Sequence, residues 1–313
     1  MIDRNILCAL RPAAFVLVWT SAAGLAQAQW SPDPNGNNPI AVVADVQSLP
    51  VVTTDSNSGA YFAWRSARFD PGTGTTVYDL YAQHFDSSGV RLWAPNGVLV
   101  ASGTVSGNGT TPTNPPFGIV SAPFIIDGPI LAWHDVRNAP DAGDIYAQKL
   151  NSSAGIPQWI VGGMPVTTAV GLQDSPALVS DGSGGAIITW QDRRNGNSDI
   201  YAQRLNASGL PQWFGQGVAV CAAPGDQVMP KIIESGAVNR FTLAWADSRA
   251  GNVDIYAQEL SVAGGPQWML DGVPVSVGPG NQTRPVIAPQ WALPGRTIET
   301  VATRTSTPSS LPI

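Results

Sequence analysis

Short runs of apolar residues alternate with polar turns along most of this chain. One run, AIITW at 186–190, is followed by the polar stretch QDRRNGNS and then by DIYAQRL at 199–205. Runs rich in Ile, Val, Tyr and Thr between Gly, Asn and Asp predict β-strands joined by tight turns. Several runs are apolar at consecutive positions, which predicts strands that are buried on both faces.

The same order of strands and turns occurs four times. A unit starts with a proline-led strand, continues through a strand that ends in Trp and a strand that contains Tyr-Ala-Gln, and ends with a short run after a second Trp. Four strands over about 55 residues are typical of one blade of a β-propeller. We therefore predict an all-β protein, a β-propeller with four complete four-stranded blades and a composite or incomplete fifth. The predicted blades are about 50–100, 116–167, 176–221 and 230–276.

Pieces of a further unit lie at both ends of the repeat region, which we place at 29–291. Residues 30–47 are similar to the last strand of a unit, and 285–291 are similar to its first strand. We expect these two pieces to form the fifth blade. Residues 292–313 lack the repeat motif and predict an irregular tail, and a fragment of a longer propeller is the alternative.

The first 28 residues have the features of a signal peptide. Arg4 and Arg11 supply positive charge, 13–23 are mostly apolar, and Ala26-Gln27-Ala28 is a small-x-small cleavage site. We expect a protein that is secreted to the extracellular space or the cell surface, and the periplasm is the alternative location. We expect no membrane span after cleavage, and a retained anchor is the alternative.

The composition argues against some classes of binding partner and against an internal disulfide. The net charge is −6 and only two residues are lysine, which argues against binding to nucleic acid or anionic lipid. After removal of 1–28 a single cysteine, Cys221, remains, so no internal disulfide is expected. We predict a monomer without cofactor or metal.

The densest polar motif is Trp-x-Asp-x-Arg followed by Asp-Ile-Tyr. We expect the hairpin turn to bring the Arg near the second Asp, so that a bidentate pair ties the hairpin. Because a catalytic site needs different residues in different roles, repetition favours this structural interpretation. The other interpretation is a polar ring that binds a ligand. Its candidate binding residues are Asp135, Arg137, Asp192, Arg194, Asp247, Arg249 and His134.

Three weaker signals also have structural interpretations. The Gln of Tyr-Ala-Gln is expected to bond backbone, and the tryptophans at repeat positions are expected in the core, although both could contact sugars. Asp55-x-Asn57-x-Gly59 has the oxygen spacing of a calcium loop but no distal acidic ligand, so a plain turn is favoured. We find no motif of catalytic residues.

The stretch DRRNGNSDIYAQRLNASG at 192–209 carries a family resemblance. It is similar to TolB-type propeller repeats, which have an Asp/Ser-x-Arg-x-Gly-x-x-Asp-Ile-Tyr hairpin. Over 30–290 the chain more closely resembles uncharacterised secreted bacterial proteins with WxDxRxGxxDIYAQ repeats. The resemblance implies a propeller and implies no reaction.

These observations predict a binding or scaffold module for protein or carbohydrate. They favour a protein that is not an enzyme. A propeller-fold glycoside hydrolase or lyase is the alternative, and a fragment without independent activity is a second. An enzyme should place unlike side chains from different blades around the axis, whereas a scaffold should show repeated pairs only. Acquired function is best sought at 69–77 and 102–116, where the first unit departs from the repeat.

Overall fold

The structure, a computed structural model, describes residues 39–72, 74–103, 117–121, 128–138, 143–288 and 301–305. Every regular element in these ranges is a β-strand. The strands form four four-stranded antiparallel sheets and one two-stranded sheet, and they confirm the predicted all-β class and the four complete blades.

Each complete blade is a meander in which neighbouring strands in the sheet are also neighbours in sequence. Blade 1 contains β1 (Val46–Thr54), β2 (Ala60–Asp70), β3 (Thr75–Phe85) and β4 (Val98–Ala101). Blade 2 contains β5 (Phe117–Ser121), β6 (Pro129–Asp135), β7 (Asp144–Lys149) and β8 (Met164–Thr167). Blade 3 contains β9 (Gln173–Ser180), β10 (Ala186–Asp192), β11 (Asp199–Leu205) and β12 (Val218–Cys221). Blade 4 contains β13 (Gln227–Glu234), β14 (Arg240–Asp247), β15 (Asp254–Ser261) and β16 (Val273–Ser276).

The first strands of successive blades lie against one another. β1 contacts β5, β5 contacts β9, β9 contacts β13, and β13 contacts β17 of the fifth sheet. The blades therefore follow one another around the innermost strands, which is the arrangement of a β-propeller.

The hydrophobic core is divided among the seams between blades. Trp133 packs with Leu80 and Ala82 of blade 1, and Trp245 packs with Ile187 of blade 3. The second strands β6 and β10 are buried along their whole length. Strands β6 and β10 are therefore covered on both faces, by the blade before and the blade after, as the uninterrupted apolar runs predict.

The fifth sheet pairs β17 (Gln282–Ile287) with β18 (Val301–Thr305). β18 thus lies within 292–313, where the sequence predicts an irregular tail. Of the predicted N-terminal piece, 30–38 lie outside the described residues, and 39–45 precede the first strand.

Residues 39–42 nevertheless make the same kind of contact with blade 1 that the segment after the last strand of a blade makes with the next blade. The Val42 N–H donates to Asn96 Oδ1 at 3.3 Å, and after the last strand of blade 2 the Thr168 N–H donates to Gln216 of blade 3 at 2.8 Å. This equivalence favours a fifth blade built from both ends, which stays a prediction.

The predicted signal peptide at 1–28 falls outside the described residues. Within the described ranges, no helix has the length and apolar character needed to cross a membrane.

One glycine per blade fixes the contact between the last strand and the first tryptophan. Gly217 has φ +96°, and a Cβ there would lie 2.5 Å from Cη2 of Trp190 and 2.9 Å from the carbonyl oxygen of Ala202. The same close approach occurs at the equivalent glycines of the other blades, Gly97, Gly163 and Gly272. Only a residue without a side chain leaves room for the indole here.

We therefore expect Gly217→Ala to destabilise the protein more than Gly196→Ala does. Gly196 has φ +106°, but nothing lies within 4 Å of a Cβ at that position, so it controls for backbone strain alone. The overpacking should cost a further 1–3 kcal/mol, roughly. Urea denaturation of the two variants measures the difference, and equal unfolding free energies would contradict the steric argument.

Candidate functional site

The repeated motif is built around a buried carboxylate, as blade 3 shows. Asp192 has no exposed surface and accepts hydrogen bonds from the indole Nε1 of Trp190 at 2.8 Å and from the Arg194 backbone N–H at 2.9 Å. The Arg194 guanidinium donates two further hydrogen bonds to the Asp192 carboxylate, from Nε at 2.8 Å and from Nη2 at 2.5 Å. It stacks over the Tyr201 ring, 4.0 Å from the ring centre. Four donors therefore surround one charge, as burial of a carboxylate requires.

The same cluster recurs in the blades on either side. In blade 2 the Asp135 carboxylate accepts from Arg137 at 2.6 Å, and in blade 4 the Asp247 carboxylate accepts from Arg249 at 2.6 Å. In each case the Arg lies over the Tyr of the following strand. Six of the seven candidate binding residues are thus partners within their own blade, which favours their structural interpretation.

The prediction that the arginine pairs with the second Asp of the motif is wrong in these three blades. Arg194 pairs with Asp192, the first Asp of the motif, and Asp199 is held by Asn195 at 2.9 Å and Asn197 at 2.8 Å. The reason is local, because a carboxylate readily accepts from the backbone N–H two residues later and the side chain of that residue then closes the ring.

Blade 1 shows what happens when the first Asp is missing. Ser66 occupies its place, and Arg68 pairs instead with Asp79 at 2.7 Å across the hairpin. The Ser66 hydroxyl is buried and has no hydrogen-bond partner in the described part of the chain. The predicted cross-hairpin pair therefore forms only where the nearer carboxylate is absent among the described blades.

Burial and hydrogen bonding act on these charges in opposite directions. Burial raises the pKa of Asp247, but the hydrogen bonds from Arg249 and Trp245 outweigh it and hold the pKa below its usual value. In Asp199, burial raises the pKa and the bonds from two asparagines do not fully offset it. The surroundings thus favour the charged form of Asp247 and disfavour that of Asp199.

His134, the remaining candidate, does not join the Asp135 cluster. It is the residue after the first Trp and lies on the opposite face of β6, with Ala132 and Ile130, toward blade 3. A Cβ on Gly143 would collide with its ring, so the imidazole lies directly over that glycine.

The position that His134 occupies differs in every blade. It holds Arg65 in blade 1, Gln191 in blade 3 and Ala246 in blade 4, whereas the flanking Trp is the same in all four. Of the four residues at this position the sequence predicts only His134 as a candidate, because the position is not part of the repeated motif. The signal in the sequence is the variation itself: the residue after the first Trp changes from unit to unit within a motif that is otherwise constant.

Two of these unlike side chains, Arg65 and Gln191, contact the innermost strands. Arg65 Nε lies 3.4 Å from Ser48 Oγ, and its guanidinium lies 4.5 Å from the centre of the Tyr78 ring. Gln191 Nε2 donates to Asp174 Oδ1 at 2.8 Å. We refer to these five residues, together with His134 at the equivalent position of β6, as the axial cluster: Ser48, Arg65, Tyr78, His134, Asp174 and Gln191.

A strained bulge accompanies the axial cluster in the innermost strands. Four non-glycine residues, each directly before a proline, have φ between 54° and 59°. The ladder between the first two strands shifts its register at these places. Met229, one of them, donates its N–H to Gln191 Oε1 at 2.7 Å. The four residues are Leu49, Ser175, Met229 and Arg284. Bulges and left-handed non-glycine residues are frequent beside functional sites.

The other repeated motifs serve the backbone and the seams. Gln148 donates Nε2 to the Ile160 carbonyl at 2.8 Å and accepts from the Trp159 N–H at 3.0 Å. The Trp159 indole donates to the Ala207 carbonyl of blade 3 at 3.0 Å. The glutamine thus holds the turn of its own blade, and the second tryptophan bonds the next blade.

The calcium-like loop is a turn stabilised by its aspartate. Asp55 Oδ1 accepts from the N–H groups of Asn57 at 2.8 Å and Gly59 at 2.6 Å. The described ranges contain no group of three or more His, Cys, Asp or Glu side chains placed to hold a metal ion.

Comparison with known proteins gives only distant structural likeness. No protein-family model matches the chain, and no curated protein matches it, so the resemblance to the TolB-type and secreted repeats stays a prediction.

Three solved structures illustrate the likeness. A GH93 α-L-arabinofuranosidase of Fusarium graminearum in complex with arabinobiose has 9% identity and a TM-score of 0.42, over 75% of this chain and 73% of that one. An α-L-arabinofuranosidase from Lactobacillus brevis has 10% identity and a TM-score of 0.39, over 70% and 74%. A GH43 endo-arabinanase from Bacillus licheniformis has 15% identity and a TM-score of 0.37, over 71% and 77%. Scores at this level carry no argument about function.

We expect Asp192→Ala to lower the free energy of unfolding by about 3–5 kcal/mol, because it leaves the Arg194 charge and the Trp190 N–H without their acceptor. Ser66→Ala is the matched control at the same position of blade 1. It removes a hydroxyl without a partner and should change the stability by less than about 0.5 kcal/mol. Urea denaturation at neutral pH measures both, and similar losses in the two variants would contradict the proposed role of the carboxylate.

The lowered pKa of Asp247 predicts a loss of stability in acid. A carboxyl whose pKa is depressed in the folded state stabilises the fold above its unfolded value of about 3.9, and this contribution disappears as the pH falls through the folded value. Asp247→Asn should therefore be less stable at pH 7 and should lose less stability between pH 5 and pH 2 than the unmodified protein. Equal pH dependence of the unfolding free energy in both proteins would contradict this assignment.

Proposed function

We propose that this protein is a secreted carbohydrate-binding propeller whose ligand contacts the axial cluster. The observation that carries the proposal is the asymmetry of one position, which holds Arg65, His134, Gln191 and Ala246 in successive blades. A fold that only needed stability would repeat this residue as it repeats the Trp beside it. A ligand that contacts several blades at once meets each blade differently, and it therefore favours unlike residues.

The chemistry of the axial cluster suits a polyhydroxylated ligand. In blade 3 the Gln191 amide donates to the Asp174 carboxylate, and in blade 1 Tyr78 supplies an aromatic ring beside Arg65. A few fixed polar groups next to an aromatic surface orient sugars by their hydroxyl groups. The net charge of −6 disfavours strongly acidic polymers and is compatible with neutral glycans.

Glycoside hydrolysis is the second candidate, favoured by the presence of a carboxylate and an imidazole at unlike positions of adjacent blades. Asp174 and His134 are the groups that could carry protons. Hydrolysis by two carboxylates needs a second acid about 5–9.5 Å from the first. The axial cluster as defined contains one carboxylate, Asp174, so hydrolysis would require a second acid from outside the cluster.

A glycan array followed by calorimetry on the best ligand tests the proposal, with arabinobiose included as a probe. We expect binding by the full chain and a loss of affinity of at least about tenfold in Asp174→Ala and Gln191→Ala, since each removes a hydrogen-bonding group. Phe214→Ala is the control, because this side chain is 92% exposed on an outer turn.

Two results would overturn the proposal. One is the absence of binding to any glycan by folded protein, and the other is unchanged affinity in both axial variants. Chromatography of the bound oligosaccharide over time distinguishes the second candidate, because release of shorter products that Asp174→Asn abolishes would assign hydrolysis instead.

A further inference from the structure

A buried histidine crosses the seam between blades 1 and 2. His84 lies on β3 and is 5% exposed. Its Nε2 is 2.8 Å from Asp55 Oδ2 in the turn between β1 and β2, and its Nδ1 is 3.1 Å from the carbonyl oxygen of Ser152 in blade 2. One imidazole ring therefore connects a side chain of its own blade to the backbone of the next.

Both partners of the ring are acceptors. A peptide carbonyl oxygen accepts hydrogen bonds and cannot donate them, and a carboxylate does the same. A neutral imidazole carries one N–H and one lone pair, so it satisfies only one partner and turns its lone pair toward the other. An imidazolium has an N–H on each nitrogen and satisfies both.

Three side chains surround the ring: Asp55, Tyr61 and Trp93. Burial raises the pKa of Asp55, but the hydrogen bonds from His84 and from the N–H groups of Asn57 and Gly59 outweigh burial and lower it, so Asp55 is a carboxylate. Tyr61 stacks on the imidazole at 4.1 Å between ring centres, and burial raises the pKa of its phenol, so it stays neutral. Trp93 meets the ring edge-on at 5.7 Å. Asp55 is thus the single charged group that faces His84 among the described contacts.

The equivalent position in blade 3 carries a permanent charge. There Arg204 Nε donates to Asp181 Oδ2 at 2.9 Å, and Asp181 occupies the turn position of Asp55. Blade 2 has Lys149 at this position, whose Nζ donates to the Gly184 carbonyl of blade 3 at 3.1 Å. Blade 1 therefore has a histidine where blade 2 has a lysine, blade 3 an arginine and blade 4 Glu259.

We propose that His84 is a proton-dependent latch between blades 1 and 2. In mildly acidic solution the imidazolium bridges Asp55 and the Ser152 carbonyl. As the pH rises and the ring loses a proton, one of the two bonds is replaced by a repulsive contact and the seam loosens. The Trp93 indole still donates to the same carbonyl at 2.9 Å, so the blades stay joined while the latch is open.

Nitrogen-detected NMR of the imidazole rings tests the proton directly in the unmodified protein. The chain has only two histidines, so a His84→Gln variant assigns the signals by removing one set. We expect both ring nitrogens of His84 to be protonated at pH 5.5 and one to lose its proton by pH 8. A neutral ring at pH 5.5, or a ring that stays fully protonated at pH 8, would overturn the proposal.

Hydrogen exchange read by mass spectrometry tests the consequence for the seam. We expect amides in 52–60 and 150–156 to exchange several-fold faster at pH 8 than at pH 5.5, after correction for the intrinsic pH dependence of exchange. In His84→Gln they should exchange fast at both pH values, and in blade 3 the turn at 181–185 should not change. Equal corrected rates at both pH values in the unmodified protein would contradict the latch.

Discussion

A buried carboxylate at the end of the second strand determines how the rest of the repeat is arranged in blades 2, 3 and 4. An anion without exposed surface must be surrounded by donors, because the cost of removing it from water is otherwise several kcal/mol. In blade 3 those donors are the indole of Trp190 and both the side chain and the backbone of Arg194. The indole is thereby fixed in one orientation, the guanidinium is held against Tyr201, and the edge of the indole requires a glycine at position 217. Replacing the aspartate would release all three restraints together.

The sequence predicts the strands well because their signals are local and repeated. Four units with turn residues at constant offsets predict four meanders, and the structure confirms them. Pairing of side chains was harder to predict. The hairpin brings Arg194 within reach of two aspartates, and choosing between them needs the geometry of the residues next to Asp192 rather than their spacing. Of the axial cluster the sequence predicts only His134 as a candidate, since identity between units marks what the fold needs and hides what differs.

Blade 1 combines several departures from the repeat. It has Ser66 in place of the buried aspartate, strands β2 and β3 of 11 residues each, and His84 in place of a permanent cation. The longer hairpin extends beyond the ladder with β1 and places Phe69 in solvent. Arg65, which replaces the imidazole of blade 2 and the amide of blade 3, belongs to the same blade. The repeat thus maintains blades 2 to 4 in nearly one form and leaves one blade free to diverge.

The indole bond between blades has a direction, and this has a consequence for how such a chain changes in length. Trp93, Trp159 and Trp213 each donate to a carbonyl of the blade that follows. Each of these three seams therefore joins a donor surface to an acceptor surface, as in head-to-tail packing. A whole unit inserted or removed in phase preserves the match at both new seams, whereas a unit cut elsewhere does not. Duplication of complete units is consequently the change that this architecture tolerates best, and single substitutions at the bulged inner strands can then differentiate the copies.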